Sequence, residues 1–185
     1  MPKVLDHDEW RARALPIFEQ SPLFHGLSPE EQAQAYAHAR VVRFADAEGL
    51  TLQGESSDRF YLMFEGAAAV FLDQASGEQP FMLARLEPPD SVGEIGVLLQ
   101  TPRSASVVAT GPVLALEFTS EAFHEMLLKL PYFGLVMCRT LATRLRRANR
   151  RLPVPDAASL ARPAPELLKL LAASFMLRHR VMPLE

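Results

Sequence analysis

The sequence predicts an α+β chain: an antiparallel β-roll, or jelly-roll barrel, flanked by N-terminal helices and a long C-terminal helix. Three observations carry that reading. Between Val41 and Phe118, short apolar or alternating segments such as "RFYLMF", "AAAVFL", "FMLARL" and "VLALEF" are separated by Gly, Pro, Asp and Ser. Turn signals at roughly ten-residue intervals are what antiparallel strands in a barrel or roll produce. Ahead of this region lies a strong helix-start signal, and behind it helical periodicity returns from Ser120 onward.

Taken in order, residues 8–18 read as a short helix with Trp10, Leu15 and Phe18 at buried positions. Ser28 then suits an N-cap, Pro29 the first helical position and Glu31 the far side of a capping box, so a second helix should run to about Ala39. The strand region follows. Ser120 is placed to cap a short helix, and Pro131 to restart a longer one ending near Leu152. Within it Cys138, Leu141, Leu145, Ala148 and Leu152 step by three and four. That stripe fits either packing on its own barrel or a dimer seam, and Cys138 on it reads as a structural, buried thiol. "PVPDAASLARPAP" holds four prolines in thirteen residues, which denies it regular structure and marks a linker. The expected organisation is therefore an N-terminal helical segment at 1–22, a domain with its long helix at 23–152, a linker at 153–165 and an amphipathic helix at 166–185.

Composition narrows the function. At 185 residues, 49% of them apolar and 22% charged, the chain suits one globular core of ordinary size. A net charge of −3 gives no global reason to expect nucleic acid or an anionic membrane. The first ten residues carry three acids and no apolar run, unlike a signal peptide. With no stretch long enough to span a bilayer and a lone cysteine that cannot form an internal disulfide, the expected location is cytoplasmic, with no membrane partner. The histidines at 7, 25, 38, 124 and 179 form no i, i+4 pair and have no cysteine beside them, so no metal is expected. Six arginines between Arg139 and Arg151 suit a solvated face or cations at a helix C-terminus better than a DNA surface. No nucleophile has the setting that enzyme chemistry needs: Ser56 and Ser57 lack a G-x-S-x-G frame, and Cys138 has no neighbouring histidine in sequence.

One stretch stands apart, "VGEIGVLLQTPRSASVVA" at 92–109. Arg103 supplies a permanent charge that can grip two phosphate oxygens. Gly93 and Gly96 permit a tight turn into a short helix whose first amides would face the same anion. Glu94 would repel a phosphate, so it must face a donor such as a sugar hydroxyl, and an anion beside a hydroxyl suggests a nucleotide. A Glu and an Arg nine apart also occur as a simple salt bridge on a turn; the order of the residues between and around them decides the matter.

Gly93-Glu94-Ile95-Gly96-Val97, five residues up to Pro102, then Arg103-Ser104-Ala105-Ser106-Val107 resembles the phosphate-binding cassette of the cyclic nucleotide-binding domain family, without a gap. "LTLQGESSDRFYLMFEGAAAVF" resembles that family's other signature, with departures at Thr51 and Ser57, both expected in the scaffold and away from the pocket. The resemblance spans about 23–152. It implies that Arg103 pairs with the cyclic phosphate and Glu94 accepts from the ribose 2′-hydroxyl. Backbone amides near Gly96, beside Ile95, and after the arginine at Ser104 and Ala105 would complete the cradle. The apolar residues between Glu94 and Arg103 are expected to wall the pocket, stiffened by Pro102. Ungapped counting puts Asn149, late in the long helix, at the purine edge, where its donor and acceptor suit adenine or guanine O6; the Ser104 hydroxyl can reach a guanine N2 or simply the phosphate. Closer likeness to the catabolite activator branch favours cAMP over cGMP as ligand and a homodimer through the long helix. The resemblance thus implies a stand-alone, non-enzymatic sensor that shifts its C-terminal helix toward an unidentified downstream protein, with DNA not expected as a partner. Two alternatives share the fold: a dimerisation or scaffold module that has lost nucleotide binding, and the remnant of a transcription regulator whose DNA reader is lost or on another chain.

Overall fold

The computed structural model describes residues 2–73 and 79–150, so Leu152, the expected linker and the expected last helix lie outside the described residues. The chain divides into two compact units, 1–141 and 142–185. Helix α1 (His7–Gln20) starts where Asp6 Oδ1 accepts from the Glu9 amide at 3.3 Å; it buries Ala14 and Phe18 fully and Trp10 and Leu15 in part. Helix α2 (Pro29–Ala37) has the full capping box: the Glu31 amide donates to Ser28 Oγ at 3.2 Å and the Ser28 amide to Glu31 Oε2 at 2.8 Å. It closes two residues before the expected Ala39, whose amide instead turns back onto the Tyr36 carbonyl and releases the chain into a strand.

The strands are β1 (Lys3–Val4), β2 (Arg40–Phe44), β3 (Gly49–Thr51), β4 (Arg59–Glu65), β5 (Ala68–Leu72), β6 (Phe81–Leu86), β7 (Ser91–Val92), β8 (Ser106–Ala109) and β9 (Val113–Thr119). They form two sheets, ordered β1-β2-β9-β4-β7 and β3-β8-β5-β6, with antiparallel pairing throughout. The result is the jelly roll that the spacing of the segments predicts, with helices before and after it. Short helix α3 (Glu94–Leu99) follows β7, and α4 (Ser120–Lys129) and α5 (Pro131–Asn149) follow β9.

Strand alternation sorts side chains between two cores, because successive residues point to opposite faces. From β4, Phe60, Leu62 and Phe64 enter a cluster shared with Phe18, Phe24, Phe118, Phe123 and Phe133, on the helix side. Tyr61 and Met63 point the other way, into the barrel interior with Val42, Phe44, Val107 and Ala115. The aromatic cluster is dense: Phe24 stacks on Phe18 at 4.1 Å between ring centres and on Phe133 at 5.4 Å. Each fully buried phenylalanine contributes roughly 1.5–3 kcal/mol of transfer free energy, which is what fastens α1, α4 and the start of α5 to the first sheet.

Two expectations are corrected at the helices. The cap of α4 is Thr119, whose Oγ1 accepts from the Ala122 amide at 3.2 Å. Ser120 is already the first helical residue, and its amide, which has no acceptor within the helix, donates to the Asp58 carbonyl at 2.9 Å. On α5 the buried positions are Phe133, Val136 and Met137, with Leu141 half-buried against the same cluster. Cys138 falls one position past that face and is exposed, so it is not the buried thiol expected, and Leu145 is 63% exposed. Among the described residues no helix is long and apolar enough to cross a membrane.

Candidate functional site

The cassette sits where the two sheets' loops meet. Gly93 ends β7 and turns the chain into α3 with φ +93°, in the left-handed region that a side chain disfavours. A Cβ there would also strike Arg103 Nη1 and lie 2.8 Å from the Arg59 carbonyl oxygen. The missing side chain is therefore what lets the arginine come in. Arg103 is buried, only 7% exposed, with Nη1 donating to the Gly93 carbonyl at 3.1 Å and Nη2 to the Arg59 carbonyl at 2.7 Å. Two of the five guanidinium N–H groups are thus held by backbone, which fixes the plane of the fork.

The arginine's own backbone is clamped as firmly. Its amide donates to the Glu55 carbonyl at 2.8 Å, and its carbonyl accepts from the Gly54 amide at 2.9 Å. Alongside, the Gln53 amide donates to Ser106 Oγ at 3.0 Å. The two stretches singled out in the sequence are thereby one unit, and the loop between β3 and β4 is the platform on which Arg103 stands.

Glu94 opens α3 and is 2% exposed. Val97 is the first residue of α3 whose amide closes on a carbonyl, that of Gly93 at 3.2 Å. The amides before it have no intrahelical acceptor, as in the first turn of any helix. Burial pushes the Arg103 pKa down from its ordinary value, and Tyr61, Asp58, Glu94 and Glu55 act against that by favouring the charged form. Tyr61, one strand over, has its phenol pushed well above the usual range, by burial first and by the Glu117 carboxylate second. Glu117 lies opposite Tyr61 in the β4–β9 register and is 3.7 Å from Arg59 Nε. Chemically the arrangement offers a part-buried guanidinium and helix-start amides for an anion, with a carboxylate close by to accept from a hydroxyl.

Gly93, Glu94, Gly96 and Arg103 are brought together. Ile95 lies on the outer side of α3 and is 42% exposed; Ser104 is exposed and Ala105 half-buried, on the way into β8. Asn149 is the exposed last residue of α5 and belongs to the second compact unit. The expected pocket wall is corrected: Val97 and Leu98 pack into the helix-side cluster, and Leu99 is 65% exposed. Helix α3 packs against α4 and against the helix-side face of β4, so its apolar side joins that cluster and not the barrel interior. The two scaffold positions are corrected as well, because both reach the cassette. Thr51 Oγ1 lies 3.5 Å from the Ala105 carbonyl, and Ser57 rests against Gly96, where a Cβ would overlap its Oγ and lie 3.3 Å from the Thr101 carbonyl. The Arg59 carbonyl, Tyr61 and Glu117 were not foreseen. A carbonyl acceptor has no sequence signature; Glu117, the lone carboxylate in "VLALEF", was a usable one.

Comparison with known proteins agrees with this geometry. The family model described as "Cyclic nucleotide-binding domain" matches residues 41–129. The cyclic AMP receptor protein of Thermus thermophilus is 32% identical over 164 residues, covering 86% of this chain and 76% of that protein. The crystal structure of Thermus thermophilus catabolite activator protein superposes with a TM-score of 0.64 at 30% identity, over 84% of this chain and 64% of that one. The present chain thus corresponds to under two thirds of that structure's length. A cyclic nucleotide-binding domain from Methylobacillus flagellatus has the same fold, with a TM-score of 0.68 at 23% identity over 82% and 87% of the two chains. Given a relative this similar over most of both lengths, and a family match that spans the barrel and the cassette, the chain belongs to the cyclic nucleotide-binding domain family.

Proposed function

We propose that this protein is a non-enzymatic sensor of a cyclic nucleotide, cAMP in preference to cGMP, and that ligand binding shifts its C-terminal helix. The carrying observation is the cradle itself, in which Gly93 gives up its side chain so that a buried Arg103 can be held by two carbonyls beside Glu94. Arg103 takes the cyclic phosphate together with the amides of α3 and of Ser104 and Ala105, and Glu94 takes the ribose 2′-hydroxyl. Asn149 is assigned to the base by its place in the sequence alone. The preference for cAMP draws on the names of the Thermus relatives, a cyclic AMP receptor and a catabolite activator.

Titration calorimetry with cAMP and cGMP tests the reading. Both are expected to bind, cAMP by at most about tenfold more tightly, since each differing polar contact is worth about 0.5–1.5 kcal/mol. Absence of binding by either removes the nucleotide reading, whereas a clear preference for cGMP removes the assignment of the base. The 2′-deoxy ligand should bind the natural protein more weakly, by about 1–2 kcal/mol. That penalty should largely vanish in Glu94→Ala; equal penalties in both proteins would show that Glu94 does not touch the ribose.

We further propose that the sensor works as a homodimer through α5, in the cytoplasm, with a downstream protein docking on the shifted helix. Leu135 at 50% and Leu145 at 63% exposure, with exposed Cys138 and Ala142 between them, recur at steps of three and four along one side of the helix, as a helix–helix seam requires. This seam replaces the one read from the sequence, because Leu141 is engaged with the core. Leu145→Arg should convert a dimer to a monomer in sedimentation analysis. A monomeric natural protein would remove the seam.

A further inference from the structure

Ser57 carries a polar atom that the fold leaves without use. Its Oγ is buried, and among the described residues it has no hydrogen-bond partner. A hydroxyl is a donor with two lone pairs, and a buried one left unpaired has lost its water without a replacement. The loop conformation does not require it: an alanine would serve residue 57 as well and would avoid that cost.

The setting of this hydroxyl points to a ligand. It rests on Gly96, the third residue of α3, in the space that a Cβ on that residue would fill. Glycine at 96 and serine at 57 therefore act as a pair. An alanine at 96 would put an inert methyl at that point beside the helix-start amides; the present pair puts a hydroxyl oxygen there instead. Ser57 is also fixed relative to the guanidinium. The loop that carries it is clamped through Gly54 and Glu55 to both backbone groups of Arg103, and the Arg59 carbonyl two residues on accepts from Arg103 Nη2 at 2.7 Å. Hydroxyl, helix-start amides and guanidinium are parts of one rigid assembly.

Resting on the cyclic nucleotide reading above, we propose that Ser57 is a further ligand-binding residue, its hydroxyl donating to an exocyclic oxygen of the cyclic phosphate. The phosphate then supplies the acceptor that the protein lacks, and the unpaired state of Ser57 is the ligand-free condition of a binding group. No covalent step is involved.

The experiment compares the natural protein with Ser57→Ala by titration calorimetry, using cAMP and its two phosphorothioate diastereomers, in each of which sulfur replaces one exocyclic oxygen. Ser57→Ala should bind cAMP about three- to tenfold more weakly, the size of one net hydrogen bond. Its melting temperature should be equal or higher, since an unpaired hydroxyl has gone. With one diastereomer, the one that places sulfur opposite Ser57, the difference between the two proteins should shrink toward none, while the other should keep it. A second variant guards against an effect of the lost volume. Ser57→Gly combined with Gly96→Ala returns a carbon to the same space without a hydroxyl, and should match Ser57→Ala in affinity. Equal cAMP affinity in the natural protein and Ser57→Ala, or a loss that is the same for cAMP and both diastereomers, would overturn the role of Ser57 and leave the nucleotide site standing. No binding by the natural protein would instead overturn the nucleotide reading, and this inference with it.

Discussion

Arg103→Ala is expected to weaken cyclic nucleotide binding by about 2–5 kcal/mol, the range for truncating one partner of a buried, hydrogen-bonded charge pair. The size follows from position. Arg103 is buried, 7% exposed as a residue, so an anion brought to its guanidinium leaves water behind and depends on the arginine for compensation. Lysine at 103 should recover only part of the loss, because a single ammonium cannot satisfy the Gly93 and Arg59 carbonyls and grip two phosphate oxygens as a planar fork does. The alanine variant also leaves those two carbonyls without their donor, so its melting temperature should fall modestly while its circular dichroism stays that of the folded protein. Natural affinity in a folded Arg103→Ala protein would remove the site assignment.

Gly93→Ala should approach the same loss without touching a single charge. Two effects combine at this residue. The left-handed backbone at φ +93° costs an L-residue about 1–2 kcal/mol, and the added Cβ would meet Arg103 Nη1 and the Arg59 carbonyl, forcing the guanidinium off its acceptors. Gly111→Ala separates the two, because Gly111 has φ +115° yet nothing within 4 Å of the place a Cβ would take, and it has no part in the clamp on Arg103. That control should show the strain in its melting temperature and keep its nucleotide affinity. If Gly93→Ala binds as well as Gly111→Ala, the close approach of Gly93 to Arg103 has no part in recognition.

What could be read from the sequence was whatever short-range chemistry determines. The α2 start was legible because Ser28 and Glu31 bond to each other's backbone within one turn, and the strand segments were legible because their turns carry Gly, Pro and Asp. Pairing was not. Nothing in "RFYLMF" says that it lies between β9 and β7, and so nothing says that Arg103 would find its second acceptor on Arg59. The missed pocket wall has a similar origin: an apolar run such as Val97-Leu98-Leu99 declares that it will be buried, yet a molecule with two cores leaves open in which. On α5 a three-and-four stripe can be drawn through Cys138 or through Met137, and only the position of Phe24 and Phe123 beside Phe133 selects the second. Ser57 was legible only as a departure from a pattern; its contact with a glycine 39 positions later belongs to the folded state.

The clamp on Arg103 runs between residues about 50 positions apart in the chain, Gly54 and Glu55 on one side and Arg103 on the other. Contacts of that separation are made late, once the entropy of closing so long a loop has been overcome. The peptide 92–109 alone should therefore have no appreciable affinity, however complete its cassette. In the whole protein, affinity and cooperative unfolding become two readings of one equilibrium. A ligand that meets only the closed clamp stabilises the native state by about 2.7 kcal/mol at a hundred times its dissociation constant. An upward melting shift with nucleotide concentration thus measures the barrel holding its loops together as much as it measures the site.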